Sequence, residues 1–500
     1  MKVPELEFDS MRGRAADIRL SRSVRVAGAL GGVCLVPLLQ GCMLKAEQPD
    51  LALAIPAAYR DAATSSHAAL PKADWWRGFR SRELTRLVEE AQIGNLDIAA
   101  AIARVIQADA QARVAGAALV PAINFDAAAS RTRPSQATGT RLGVTSGPSV
   151  RNQFGTVFSA SYELDFWGKN RATLRAAEET AVATRFEREV VALSSMAAVA
   201  NAYFVVLAAQ DRLRYARDNI ASANRILNVI KQRLEAGTAS ALDVAQQESV
   251  LYTERAIVPT LEQVVRQATA VLAVLVGRPP EFVRVRGGSM FNISIPRITP
   301  GLPTELLTRR PDIRAAEADL AGANANVEAA RAAFFPTIEL SAQGGWQASL
   351  LTWLARPEAA VWQIAAGLTQ PVFDGARLQG QLDLQKGRQE ELLQVYRKTV
   401  VQAFADVDSA LVATRQLAIR ERLQNQVVAS SRRAFQIADQ RLQEGTVDII
   451  TVLNTQQTLF QAQDTLTQVR LARLQATVGL FQALGGGWIA ETPHRQAARQ

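Results

Sequence analysis

The chain has 500 residues and a formal net charge of +9, with 48% hydrophobic, 21% charged and 6% aromatic residues. Its arginines are scattered among acids with no aromatic-interleaved basic cluster, which argues against a nucleic-acid partner. Two cysteines and two histidines leave no basis for a disulfide framework, a zinc site or Ser/His or Cys/His catalysis, so no catalytic residue, metal or cofactor is expected.

At the N-terminus Arg19, Arg22 and Arg25 precede an apolar run from Val26 to Leu39, long enough for a signal peptide and too short to span a bilayer. The run ends in Leu39-Gln40-Gly41-Cys42, which resembles the lipobox of bacterial lipoproteins, where the cysteine thiol accepts diacylglycerol. Residues 1–41, Cys34 among them, are expected to be removed, leaving Cys42 as the lipid-bearing first residue. Met43 after it favours outer-membrane sorting, and Met11 is an alternative start to Met1 because the segment before the apolar run is long.

The rest reads as two repeats, 42–300 and 301–488, followed by a tail at 489–500. In the first, a helix leads into strands at about 121–133 and 154–166, then into long helices at about 168–235 and 242–276 and an irregular segment to residue 300. In the second, a helix at about 311–334 is followed by strands at about 336–348 and 361–373 and long helices at about 375–443 and 446–484. Asp97-Ile98, Pro121 and Ile123 fall on Asp312-Ile313, Pro336 and Ile338, and Phe166-Trp167-Gly168 falls on Phe373-Asp374-Gly375. Arg233-Leu234-Glu235-Ala236-Gly237-Thr238 then falls on Arg441-Leu442-Gln443-Glu444-Gly445-Thr446, and Gly277 on Gly485.

From Lys169 to Val258 there is no proline, and Gly237 is the only glycine. A helix from 168 to 235 is about 100 Å long at 1.5 Å per residue, a length that demands coiled-coil neighbours. Gly237 and Gly445 suit the turn between long helices because glycine adopts positive φ without a Cβ clash, so Gly237, Thr238, Gly445 and Thr446 mark helical hairpin tips.

The strand segments alternate. Phe154, Thr156, Phe158, Ala160, Tyr162, Leu164 and Phe166 share a face, as do Ile123, Phe125, Ala127 and Ala129; Ile338, Leu340 and Ala342; and Trp362, Ile364, Ala366 and Leu368. An apolar face backed by a polar one fits a transmembrane β-barrel between lipid and water. Four strands are too few to close, since a lipid-spanning sheet must satisfy its edges, so closure requires several copies of the chain.

The stretch Leu302-Pro303-Thr304-Glu305-Leu306-Leu307-Thr308-Arg309-Arg310-Pro311-Asp312-Ile313-Arg314-Ala315-Ala316-Glu317 resembles the signature of TolC-like outer-membrane factors, in the lipoprotein branch serving resistance-nodulation-division pumps. Tyr162 to Lys169, Phe334 to Ile338 and Ala483 to Trp488 are similar to the same branch. The resemblance implies a mainly α fold with a small β part, a homotrimer whose twelve-stranded outer-membrane barrel continues into a periplasmic α-barrel. It implies a passive exit duct for small molecules, not an enzyme, held in outer-membrane lipid and meeting a periplasmic adaptor at the hairpin tips. The adaptor links the duct to an inner-membrane transporter, which spends the energy.

The resemblance also implies a constriction just beyond the tips, lined by acids. Here Thr451 and Asn454 fall where relatives commonly have aspartate. Asp448, with Asp243 after the first tip, is the nearest acidic candidate, and Ile450 and Leu453 are candidates for an apolar constriction. Both aspartates equally suit helix N-caps. Three alternatives remain at this point: a channel for type I protein secretion; a periplasmic adaptor, which would lack amphipathic transmembrane strands; and an exported lipoprotein enzyme, which would need a convergent set of titratable groups in a pocket.

Overall fold

A computed structural model describes residues 53, 55–56, 59, 72–133, 150–298, 301 and 303–488, all within the unit that begins at Leu44. The expected signal peptide, Cys34, Cys42 and the tail 489–500 lie outside the described residues.

Each repeat opens with a short and a longer helix. In the first these are α1 (Arg82–Gly94) and α2 (Leu96–Gly116); in the second, α5 (Pro303–Arg309) and α6 (Pro311–Ala332). Strands β1 (Ala122–Thr132) and β2 (Arg151–Leu164) follow α2, and β3 (Thr337–Ala348) and β4 (Ala360–Thr369) follow α6. The long hairpins are α3 (Lys169–Glu235) with α4 (Ala241–Val276), and α7 (Arg377–Gln443) with α8 (Ile449–Ala483). Both α3 and α7 have 67 residues.

Several boundaries differ from the sequence expectation for local reasons. Strand β4 ends at Thr369 rather than near 373, because Pro371 has no N–H for a ladder and Val372 and Phe373 stand 95% and 93% exposed. Helix α8 starts at Ile449 rather than 446, because Thr446 still belongs to the turn that ends α7 and Asp448 is the N-cap. Helix α4 runs through Pro259 without a break, as the expected span of 242–276 required. The helices α1 and α5 and the 3-10 turn Trp75–Phe79 were not expected at all.

That turn seeds the main core. Trp75, Trp76 and Phe79 pack with Phe204 of α3 and Phe481 of α8, with Trp75 stacked on Phe481 at 5.1 Å between ring centroids. Burial of such rings is the largest single contribution a residue makes to a core. Helix α3 contains a stretch apolar enough to cross a bilayer, but 61% of that window is buried inside the chain, so it belongs to this core.

The irregular segment after α4 straps the two hairpins together. Its Met290 N–H donates to Asp211 of α3 at 2.8 Å, and its Ile293 carbonyl accepts from Arg470 of α8 at 2.6 Å. Burial raises the pKa of Asp211, against the pull of the Met290 N–H, Arg214 and Ser289. Arg470 and Arg473 converge on Glu421 of α7 at 3.0 and 2.7 Å, with Glu421 only 6% exposed.

The duplication is visible in packing as well as order. Gly277 after α4 turns against the α1–α2 junction, where Asn95 donates to the Leu275 carbonyl at 2.7 Å. Gly485 after α8 turns against the α5–α6 junction, where Arg310 donates to the Ala483 carbonyl at 3.4 Å while pairing with Asp312 and Asp406.

Candidate functional site

The four strands form one antiparallel sheet in the order β1-β2-β3-β4, so the two repeats meet at the β2–β3 pair and β1 and β4 are left as edges. The register aligns the apolar positions into rows that cross all four strands: Phe125, Phe158, Gly344 and Trp362 form one, and Ile123, Ala160, Ala342 and Ile364 the next. Between them runs a polar row of Asn124, Ser159, Gln343 and Gln363 on the opposite face, in which Gln343 donates to Gln363 at 2.6 Å. Because side chains alternate faces, a one-residue slip in any pair would mix the two rows. Trp362, Ile364 and Leu368 are 80%, 77% and 67% exposed on a face that nothing in the chain covers among the described residues.

Where the sheet hands over to the hairpins, Asp165 accepts the amides of Asn170 and Arg171 and the Arg171 guanidinium, and Asp374 accepts the Leu378 amide. Burial alone would raise the Asp165 carboxyl, but the Arg171 and Asn170 N–H groups and the guanidinium outweigh it and hold the pKa below the ordinary value.

At the far end both hairpins turn in the same way. The Thr238 amide donates to the Arg233 carbonyl and the Gly237 amide to Leu234, and Thr446 and Gly445 repeat this on Arg441 and Leu442. This pairing of bonds ends a helix at a residue of positive φ, here +69° at Gly237 and +76° at Gly445. The helices that leave the tips are capped by the same chemical pair in opposite order. Ser240 and Asp243 form a reciprocal box, the Asp243 amide donating to Ser240 Oγ at 3.2 Å and the Ser240 amide to Asp243 Oδ2 at 2.8 Å. In α8, Asp448 is the cap and accepts both the amide and the hydroxyl of Thr451, at 2.9 and 2.8 Å. These two bonds from Thr451 lower the pKa of the exposed Asp448 carboxyl.

The structure therefore gives each sequence-singled acid a local partner: Asp243 with Ser240, Asp448 with Thr451. Ile450, at 54% exposure, and Asn454 face outward, whereas Leu453 is half-buried against the cluster of Ile230, Phe435, Val452 and Leu459 that holds the two hairpins together. Two contacts near the tips had no counterpart in the sequence reading. Gln247 and Gln456, both fully buried, meet between α4 and α8, with the Gln247 amide donating to the Ala223 carbonyl at 3.0 Å. Arg233 reaches across from α3 to the end of α7, donating to the carbonyls of Leu442 and, at 3.4 Å, Gln443. The signal for it was the match of Arg233 with Arg441; the acceptors are backbone atoms, which no residue type announces.

An amphipathic four-stranded sheet with open edges, continued by two helices of 67 residues, each about 100 Å long, that turn back at their tips, defines a subunit of an outer-membrane channel. The chain belongs to the outer membrane efflux protein family, whose model matches residues 87–278 and 302–486, one stretch in each repeat. It is similar to the pyoverdine export outer membrane protein OpmQ of Pseudomonas aeruginosa PAO1, 41% identical over 92% of this chain and 96% of that protein. The OpmQ protein of Pseudomonas putida KT2440 is 39% identical over 93% of this chain and 99% of its own length. Among solved structures the outer-membrane channel OprN superposes with a TM-score of 0.79 at 26% identity, covering 88% of this chain and 99% of that one. The protein is an outer-membrane efflux channel component that extends into the periplasm, and its family is one of transport proteins.

Proposed function

We propose that three copies of this chain form a closed exit duct, with twelve strands in the outer membrane and six helical hairpins in the periplasm. The observation that carries this reading is the pair of unsatisfied edges, β1 and β4, on a sheet whose apolar face is bare. In lipid such edges must pair, and antiparallel joining of β4 to β1 of the next copy satisfies them without leaving any edge. Lipid on Cys42 anchors the N-terminus. The tips, with Gly237, Thr238, Gly445 and Thr446, receive a periplasmic adaptor that connects the duct to an inner-membrane resistance-nodulation-division transporter, and the duct itself acts passively without a cofactor.

The purified full-length protein is expected to show a native mass of three chains and to form pores in planar bilayers; a stable single-chain particle would end this reading. The constriction lies on the α8 side of the tips, near Asp448, Ile450, Thr451, Leu453 and Asn454, with Asp243 on the α4 side. Since Thr451 and Asn454 are neutral, the combined variant Thr451→Asp with Asn454→Asp is expected to raise cation selectivity and sensitivity to divalent block in the same bilayers. Unchanged selectivity would remove both positions from the pore.

For the exported substrate, the two OpmQ relatives match almost end to end, which supports pyoverdine as the cargo. Expression in a Pseudomonas aeruginosa strain lacking OpmQ is expected to restore pyoverdine to the medium. Failure to restore it, with the channel present in the outer membrane, would separate this chain's cargo from that of OpmQ.

A further inference from the structure

The two repeats are equal in design and unequal in surroundings. Helix α3 has 26 buried positions over its 67 residues and α7 only 12 over the same length. Near the tips the repeats agree, since Leu227 and Ile230 are buried and so are their mates Phe435 and Ala438. Elsewhere they disagree: Leu193 and Phe204 are 6% and 0% exposed, while their mates Val401 and Val412 are 58% and 38% exposed. Helix α3 is flanked by α8 as well as α4, whereas among the described residues α7 has no comparable packing against α4. Applying to the second hairpin the step that relates the first to the second puts the first hairpin of another copy beside α7.

The same step acts on the tip contact. Arg233 of the first hairpin donates to the Leu442 and Gln443 carbonyls of the second. Its repeat mate Arg441 is exposed at the tip, and the mates of the two acceptors are Leu234 and Glu235. Open space supports the correspondence. A Cβ at Gly445 would lie 3.9 Å from the Arg233 guanidinium, whereas at the equivalent Gly237 nothing lies within 4 Å.

We propose that Arg441 of each copy donates to the Leu234 and Glu235 carbonyls of the neighbouring copy's first tip, so that clamps within and between chains alternate around the mouth. The chemistry favours it, because a guanidinium presents several donors in a fixed fork and the last carbonyls of a helix carry its negative end. The clamp rests on the closed-duct reading, and the test separates the two. Full-length protein carrying Arg441→Cys with Glu235→Cys, treated in the membrane with a flexible bis-maleimide that spans the length of the lost arginine side chain, is expected to convert the single-chain band on denaturing gels into covalent dimers and trimers. Arg233→Cys with Gln443→Cys is expected to cross-link within the chain and leave the band in place. Each single-cysteine variant controls for Cys34 and Cys42. A native particle of three chains in which the Arg441/Glu235 pair gives no link between chains would overturn the clamp and leave the duct standing. A native mass of one chain would overturn both. Independently, Arg233→Ala and Arg441→Ala are expected to raise pore conductance by the same factor; a change with Arg233→Ala alone would also overturn the clamp.

Discussion

Gly277→Ala is expected to remove most of the folded channel from the outer membrane. At φ +76° an alanine pays about 1–2 kcal/mol for the left-handed backbone alone. Its Cβ would also stand 2.0 Å from the Gly94 carbonyl oxygen and 2.8 Å from its carbon. No rotamer relieves a contact between Cβ and main chain, so α4 must part from the α1–α2 junction. That movement withdraws Leu272, Ala273 and Val276 from the main core and the Leu275 carbonyl from Asn95. Together these losses put the cost above about 4 kcal/mol, the range reserved for changes with a definite structural cause. Gly237→Ala is the control, because it sits at φ +69° with nothing within 4 Å and bears the backbone strain without the collision. The measurement is the yield of folded complex and its midpoint of thermal dissociation. Equal losses from the two variants would show that the close approach of Gly94 and Gly277 has no energetic weight.

The second large effect is expected at Glu421. Its carboxylate neutralises Arg470 and Arg473 between α7 and α8, and the Arg470 side chain is only 11% exposed. A buried ion group of this kind adds little over an apolar substitute, but removing one member strands the other charges in a poor solvent. Glu421→Ala should therefore cost about 3–5 kcal/mol. Arg470 also holds the Ile293 carbonyl, so the damage spreads to the strap that ties the hairpins together. Glu421→Leu combined with Arg470→Met is expected to recover part of the loss in thermal midpoint, because it removes charge from both sides of the pair. A Glu421→Ala protein with the parental midpoint would show that water reaches both arginines.

The features legible in the sequence were those that repeat over many residues. Long proline-free stretches declared α3 and α7, and strict alternation placed Phe158, Ala342 and Trp362 on the face where the register puts them. Features set by one or two atoms were not legible. Trp75–Phe79 is too short to show a period, yet it centres the main core. Asp448 read equally as a gate acid and as a cap, and only the bonds from Thr451 reveal the cap. The exchange of order between Ser240-Asp243 and Asp448-Thr451 hid their equivalence, since alignment compares residue types and the helix start needs only one carboxylate and one hydroxyl. Arg233 and Glu421 act through distant partners, one of them main chain, which spacing along the chain does not encode.

The matched spans of α3 and α7 bear on how such a conduit changes size over generations. Both carry 67 residues, and Arg233 near the end of α3 reaches the last carbonyls of α7, so the two turns of one chain finish at one level. Deleting two turns from one of them alone would sink half of the rim by about 11 Å, leaving a crenellated mouth against which no flat partner seats. A shorter or longer tube is thus reachable only by editing both halves in step, together with the returning helices, so selection on length must act on the duplicated unit as a whole.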